Sequence, residues 1–124
     1  MKFAVIGATK NKEKYGYIVF KYLKEQGHQV FPINPNYSEI DNVKTYKDVL
    51  SLNEDVDYFV FVTPPQVTLK VLNQIIKKVS NLKVWFQPGS EDQQCIDFCE
   101  KHNISYVANA CIMHTNLDEN SYFL

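Results

Sequence analysis

The sequence predicts a single α/β domain built on a doubly wound parallel sheet. Three observations favour it. Apolar runs of strand length alternate with segments of helical period, turns containing glycine, proline or asparagine separate them, and 124 residues is the size of one domain. Parallel neighbours are joined by right-handed crossovers, so helices should cover both faces of the sheet and make three layers. We therefore predict one domain over residues 1–124.

Strands and helices alternate along the whole chain. Apolar and β-branched runs predict strands at 2–6, 29–34, 56–63, 83–87 and 104–108. Amphipathic patterns predict helices at 15–26, 66–80 and 90–102, the last with Ser90 as its N-cap and acids in its first turn. A short edge strand at 43–46 and a short helix at 47–52 complete the prediction. With that edge strand, six strands fit the order 3-2-1-4-5-6.

The helical patterns also predict which side chains are buried. Ile18, Tyr22 and Leu23 should lie on one face of the first helix. Trp85 should be partly exposed, since it lies next to a turn. The second helix should bury a stripe made of Val67, Val71, Leu72, Ile75 and Val79.

Composition and charge narrow the function classes. The formal charge of −1 gives no overall attraction to nucleic acid or to an anionic membrane. Four apolar residues before Gly7 are too few for a signal sequence or a membrane span, so we expect a cytoplasmic protein. Three cysteines, an odd number without a secretory signal, predict free thiols.

The strongest local feature is the turn between the first strand and the first helix, residues 7–16. Small residues let the backbone approach a ligand, and a helix N-terminus presents N–H groups to an anion. Lys10, Lys12 and Lys14 add local positive charge. The turn is therefore a candidate pyrophosphate site, with a tight turn carrying solvated lysines as the alternative.

The order of the strands places a second segment opposite this turn. Strands 1 and 4 flank the switch point, where ligands bind outside the carboxyl ends of the strands. The segments Gly7-Ala8-Thr9 and Thr63-Pro64-Pro65 should form the two lips of one crevice. NAD is disfavoured because G-x-G-x-x-G is missing and Asn34-Pro35-Asn36 stands where an acid is expected. No G-x-x-x-x-G-K-[ST] loop is present.

A wider set of motifs carries a resemblance. It comprises Val5-Ile6-Gly7-Ala8-Thr9, Lys14-Tyr15-Gly16, Gly27-His28-Gln29-Val30, Pro32-Ile33-Asn34-Pro35, Val56-Asp57, Thr63-Pro64-Pro65, Trp85-Phe86-Gln87-Pro88-Gly89 and Cys111-Ile112. In this order the chain resembles the stand-alone CoA-binding domain family, whose members are similar to the Rossmann-type CoA-binding domain of the succinyl-CoA synthetase α subunit. The resemblance covers residues 3–112 and implies coenzyme A, or an acyl-CoA, as the ligand.

The resemblance also implies where the parts of the ligand lie. The turn would bind the phosphates, the end of the second strand would lie beside the adenosine half, and the rim after the strand at 83–87 would face the pantetheine. Many relatives carry a basic residue before the cysteine where this chain has Ala110, so a function tied to that residue is not expected here. The implied site residues are Gly7, Ala8, Thr9, Lys10, Lys14, Tyr15, Asn34, Pro35, Thr63, Pro64, Pro65, Gln87, Pro88 and Gly89.

The cysteines allow two further interpretations. Cys95 and Cys99, with His102, Cys111 and His114, suggest metal ligands, but their spacing is more typical of a buried helix stripe. Cys111 and His114 suggest a nucleophile and base acting on a thioester. A separation of three residues along the chain, however, does not determine the distance between their side chains.

We therefore predict a small cytoplasmic module that binds CoA or an acyl-CoA without catalysis of its own. The alternatives are a CoA-thioester enzyme that uses Cys111, and a regulatory sensor that binds NAD or another nucleotide. No basic recognition helix supports nucleic-acid binding. The apolar tail Tyr122-Phe123-Leu124 is either packed on the domain or buried in a second subunit, and we favour a homodimer.

Overall fold

The computed structural model describes residues 1–115 and is built around a sheet of five parallel strands. The strands in chain order are β1 (Lys2–Ile6), β2 (Gln29–Ile33), β3 (Glu39–Ile40), β4 (Val43–Lys44), β5 (Tyr58–Phe61), β6 (Lys83–Phe86) and β7 (Ser105–Val107). The main sheet has the order β2-β1-β5-β6-β7, while β3 and β4 form a separate hairpin. The order reverses between β1 and β5, as predicted for a Rossmann-type sheet.

Three helices cover the two faces of the sheet: α1 (Tyr15–Glu25), α2 (Pro65–Ile75) and α3 (Gln93–Lys101). Side chains alternate along each strand, so Phe3 and Val5 pack in the core on the α1 side. Ala4 and Ile6 belong to the core on the α2 and α3 side. The predicted three-layer α/β fold is therefore confirmed. None of the helices in the described part of the chain is long and apolar enough to cross a membrane.

The sixth strand is where the prediction was wrong. Residues 43–46 do not form an edge strand of the main sheet, because Val43–Lys44 pairs antiparallel with Glu39–Ile40. Asp41 and Asn42 between them both have positive φ, 49° and 64°, the signature of a two-residue hairpin turn that folds the chain back. A single parallel bridge between Ile33 and Tyr46 joins this segment to the end of β2.

Two helical stripes also differ from the prediction. In α1, Ile18 is exposed, and the buried face is made of Gly16, Tyr17, Val19, Phe20 and Leu23. In α2, Val67 is exposed and Thr68 is fully buried. The burial of Thr68 leaves its hydroxyl satisfied, since it is hydrogen-bonded to Thr63 Oγ1 at 2.7 Å. The short helix predicted at 47–52 is a single 3₁₀ turn, Val49–Ser51, and α2 ends at Ile75 rather than at residue 80.

Trp85 is fully buried rather than partly exposed. Strand alternation points its side chain into the core beneath α1, together with Val60 and Val107. Its indole N–H donates to the carbonyl oxygen of Ala110 at 2.9 Å, so burial leaves this donor satisfied. The predicted exposure was wrong because proximity to a turn does not decide which face of a strand a side chain occupies.

The N-cap of α3 is Asp92, not Ser90. The Asp92 carboxylate accepts a hydrogen bond from the backbone N–H of Cys95 at 3.1 Å, and the helix begins at Gln93. The acids predicted for its first turn therefore precede the helix. Ser90 lies in the turn after β6, where its N–H donates to the Gln87 carbonyl oxygen. Its buried hydroxyl has no hydrogen-bond partner in the described part of the chain.

We expect the two possible caps to respond differently to alanine. Asp92→Ala should lower the free energy of unfolding by about 1 kcal/mol, because the first turn of α3 loses its side-chain acceptor. Ser90→Ala should leave it unchanged or slightly higher, since an unpaired buried hydroxyl is removed. Urea unfolding of both variants checks this, and a larger loss in Ser90→Ala would contradict the assignment of the cap.

Candidate functional site

A cleft of about 1060 Å³ opens at the carboxyl ends of β1, β5 and β6. This volume is slightly larger than the usual range of small-molecule sites, roughly 300–1,000 Å³, and suits a long ligand. The cleft lies at the point where the strand order reverses, which is the usual ligand position in open α/β sheets. Its lining residues are Gly7, Thr9, Glu13, Lys14, Tyr15, Gly16, Asn34, Asn36, Tyr37, Val62, Thr63, Pro64, Pro65, Gln87, Pro88, Gly89, Ser90, Cys111, Met113 and His114.

The turn after β1 depends on two glycines. Gly7 has a φ of +97°, and a Cβ on it would lie 2.9 Å from both Thr63 Cγ2 and the Val62 carbonyl oxygen. Gly16, in the first turn of α1, lies so close to Gly7 that a Cβ would be 2.1 Å from the Gly7 carbonyl oxygen. The missing side chains therefore allow the first turn of α1 to pack directly on the end of β1.

Two helix N-termini at the cleft have no side-chain cap. Neither Lys14 before α1 nor Pro64 before α2 makes a capping side-chain hydrogen bond, and both residues line the cleft. By contrast, α3 is capped by Asp92, which does not line it. The N–H groups of Tyr17 and Ile18 bind the Lys14 carbonyl oxygen, and those of Val67 and Thr68 bind the Pro64 carbonyl oxygen. Pro65 has no N–H, so the first turns offer an anion the N–H groups of Tyr15, Gly16 and Gln66, and the helix dipoles favour negative charge there.

The lysines of the turn have different positions. Lys14 lines the cleft, whereas Lys10 and Lys12 are not among its lining residues in the described chain. Lys10 donates to Glu39 Oε1 at 2.9 Å. This hydrogen bond, together with one from the Asn42 N–H, lowers the pKa of the Glu39 carboxyl. Lys10 is thus engaged with an opposite charge, and Lys14 is the turn lysine that faces the cleft.

The end of β2 is joined to the turn by an asparagine. The Asn34 side-chain amide donates to the Ala8 carbonyl oxygen at 2.8 Å, and its oxygen accepts from the Asn36 N–H at 2.9 Å. Thr9 Oγ1 lies 3.1 Å from the Tyr37 hydroxyl. These contacts hold the loop after β2 against the turn. Ala8 is fully buried, and neither it nor Pro35 lines the cleft.

The far wall is organised by Gln87 at the end of β6. Its amide nitrogen donates to Cys111 Sγ at 3.3 Å, and its amide oxygen accepts from the Ile112 N–H at 2.7 Å. Gln87 is 4% exposed, so both ends of its amide are used inside the protein. The segment at 111–114 is thereby fixed beside the turn that contains Gly89 and Ser90.

The three cysteines have different surroundings. Cys95 and Cys99 are fully buried on α3, and burial raises the pKa of both thiols, that of Cys99 to about 12. Cys111 is half-buried and lines the cleft. Within residues 1–115, the hydrogen bond to its sulfur comes from Gln87 rather than from a histidine. No group of three His, Cys, Asp or Glu side chains among the described residues is arranged to hold a metal ion.

The structure brings most of the predicted site residues to this one cleft, with Ala8, Lys10 and Pro35 as the exceptions. Their role in binding remains a prediction. Sequence reasoning included Glu13 and Gly16 only as members of the turn 7–16, and it assigned Cys111 and His114 to an alternative function rather than to the site. It missed the contributions of Asn36, Tyr37, Val62, Ser90 and Met113. Asn36 and Tyr37 could have been predicted from the sequence, because they follow the carboxyl end of β2, where ligands bind in such sheets. Nothing in the sequence pointed to Met113 as a residue of the cleft.

Comparison with known proteins gives a family match. The sequence profile of a family described as "CoA binding domain" matches residues 1–116. This chain belongs to that family. An ADP-forming acetate–CoA ligase of Methanocaldococcus jannaschii is 34% identical over 97% of the chain, and the match spans 18% of that enzyme. The α subunit of acetate–CoA ligase II of Pyrococcus furiosus, also ADP-forming, is 31% identical over 98% of the chain, which spans 29% of the subunit.

One solved structure is similar to this chain over nearly its whole length. It is a conserved hypothetical protein from Pyrococcus furiosus, 45% identical, with a TM-score of 0.87. The alignment covers 90% of this chain and 96% of that protein. This domain thus occurs both as a region of much longer ligases and in chains of about this length.

Proposed function

We propose that the chain binds coenzyme A or an acyl-CoA in the cleft and catalyses no reaction of its own. The observation that carries this proposal is the pair of uncapped helix N-termini, α1 and α2, that meet at the switch point. A pyrophosphate placed on the turn after Gly7 would receive N–H groups and the positive ends of two dipoles. Membership of the family supports CoA as the nucleotide.

The shape of the cleft supports the same ligand. The cleft continues from the turn at Gly7, past Thr63, to the wall formed by Gln87 and Cys111. A ligand with a phosphate group at one end and a long flexible arm would occupy both ends. We place the adenosine half near Asn34 and Tyr37 and the pantetheine toward Gln87. A cytoplasmic location is part of this proposal. The tail that suggested a homodimer, residues 122–124, lies outside the described residues.

Ligand-dependent stability tests this function. CoA at about 100 times its dissociation constant should raise the free energy of unfolding by about 2.7 kcal/mol, or several degrees in melting temperature. NAD should have a much smaller effect, because Asn34 stands where an acid would hold its ribose. Native mass spectrometry of freshly purified protein should show a retained CoA-sized ligand. Equal shifts with CoA and NAD would contradict the proposal.

A pair of lysine variants tests the position of the phosphates. Lys14→Ala should weaken CoA binding by about 1–2 kcal/mol at low salt, since a charge facing the cleft is removed. Lys12→Ala should cost less than about 0.5 kcal/mol, because that exposed side chain does not line the cleft. Calorimetric titration at two salt concentrations measures both. Equal losses would mean that the phosphates do not lie beside Lys14.

A further inference from the structure

One thiol side chain lines the cleft. Cys111 is half-buried and lines the cleft, whereas Cys95 and Cys99 are fully buried away from it. CoA ends in a thiol. In the proposed orientation the pantetheine arm runs toward the wall that contains Cys111, which would bring two thiols into one cavity.

The Cys111 sulfur is held in a defined position. Gln87 donates an amide N–H to it at 3.3 Å and also binds the N–H of the next residue, Ile112. The Cys111 carbonyl oxygen accepts from the His114 N–H and from the Thr115 hydroxyl. A donor directed at the sulfur also stabilises negative charge that develops there during thiol exchange.

Ser90 provides an independent indication that a ligand occupies this end of the cleft. Its hydroxyl is buried, with the residue 3% exposed, and has no hydrogen-bond partner among residues 1–115. Ser90 lines the same cleft as Cys111, and its N–H binds the carbonyl oxygen of Gln87. An unpaired buried hydroxyl is unfavourable by itself, so a polar group of a bound molecule is its expected partner. The pantetheine arm carries two amides that supply such a group.

We propose that Cys111 forms a mixed disulfide with CoA bound in the cleft, by exchange with CoA disulfide. The inference rests on the proposed CoA function and extends it to a redox-dependent, covalent form of the complex. In that form the ligand is retained until a reductant cleaves the bond.

The exchange balances without another reactant. Cys111 loses its proton, and the thiolate attacks the sulfur of the CoA half that occupies the cleft. The disulfide between the two CoA halves breaks, and a disulfide between Cys111 and the bound half forms. The other half leaves as a thiolate and takes up a proton. Cys111 is oxidised, one CoA is released reduced, and a second thiol reverses the step.

The other two cysteines provide an internal comparison. Their thiols are fully buried, and burial disfavours the thiolate that exchange requires. Modification should therefore be confined to Cys111 in the folded protein.

The test uses the reduced protein with CoA disulfide or glutathione disulfide at equal concentration. Intact mass spectrometry without reductant should show one added CoA, reversed by dithiothreitol and mapped to Cys111. The rate should saturate with CoA disulfide and exceed that with glutathione disulfide by about 100-fold, since binding places the sulfurs together. Cys111→Ser should form no adduct. Ser90→Ala should slow the reaction with CoA disulfide while leaving that with glutathione disulfide unchanged.

Desulfo-CoA separates failure of this inference from failure of the proposed function. It lacks the thiol, and it should bind reversibly in calorimetry and block adduct formation. If desulfo-CoA binds but no adduct forms, or if both disulfides react equally fast, the mixed disulfide is wrong and the CoA site stands. If desulfo-CoA does not bind, both proposals are wrong.

Discussion

Gly16→Ala is expected to destabilise the protein by about 3 kcal/mol or more, although alanine is the better helix former. Helix propensity alone predicts a gain of up to about 1 kcal/mol. A Cβ at this position would lie 2.1 Å from the Gly7 carbonyl oxygen, which is a backbone atom that cannot rotate away. The first turn of α1 would have to move off the end of β1, and overpacking of this kind is strongly destabilising. Chemical denaturation measures the change.

Gly27→Ala is the matched control. A Cβ there would meet nothing within 4 Å, so the cost is confined to the backbone strain of its φ of +87°. We expect a loss of about 1–2 kcal/mol. The change in the free energy of unfolding of Gly16→Ala decides the interpretation. A Gly16→Ala protein as stable as the wild type would show that α1 does not pack on Gly7 as described.

Gly7→Val should abolish measurable CoA binding, with a loss of at least about 100-fold, or about 2.7 kcal/mol. The branched side chain would be forced against Thr63 and the Val62 carbonyl, between the two lips of the cleft. Valine at a φ of +97° is also strained, which adds roughly 1–3 kcal/mol to the stability cost. Calorimetry on protein shown to be folded by circular dichroism separates the two effects.

Gly27→Val is the control for binding. It places the same side chain at a similar φ, outside the lining of the cleft, so it should lose stability and keep its CoA affinity. Gly7→Ala extends the test if the valine variant does not fold, because its Cβ makes the same close contacts. A folded variant at Gly7 with unchanged affinity would place the ligand elsewhere.

The sequence predicted the strands that end at the cleft because each has an unambiguous stop. Gly7 follows β1, Pro64-Pro65 comes shortly after β5, and Pro88-Gly89 comes shortly after β6. The apolar pattern and these turn residues therefore indicated the same strand ends. The hairpin at Glu39–Lys44 was missed because Asp41-Asn42 is a weaker turn signal than Asn-Gly. Two residues per strand also leave too short a window for alternation to be detected.

The rest of the site depends on contacts between distant residues. Lys10 looked like a phosphate ligand in sequence, yet its partner Glu39 is 29 residues away in the hairpin that was not predicted. The wall at 111–114 is positioned by Gln87, about 25 residues earlier, through an amide whose two hydrogen bonds no local pattern encodes. The residue types near a strand end can therefore be predicted as candidate site residues. The direction in which each side chain points follows only from the tertiary structure.

The burial of Trp85 gives the cleft an intrinsic optical reporter. It is the single tryptophan of the chain, and it is excluded from water. Its indole N–H is hydrogen-bonded to the carbonyl oxygen of Ala110, the residue before Cys111. The fluorescence of an indole in such surroundings lies at shorter wavelength than that of a hydrated one, and aqueous quenchers do not reach it. Its emission therefore follows both global unfolding and any displacement of the wall beside Cys111, without a label and without altering the protein.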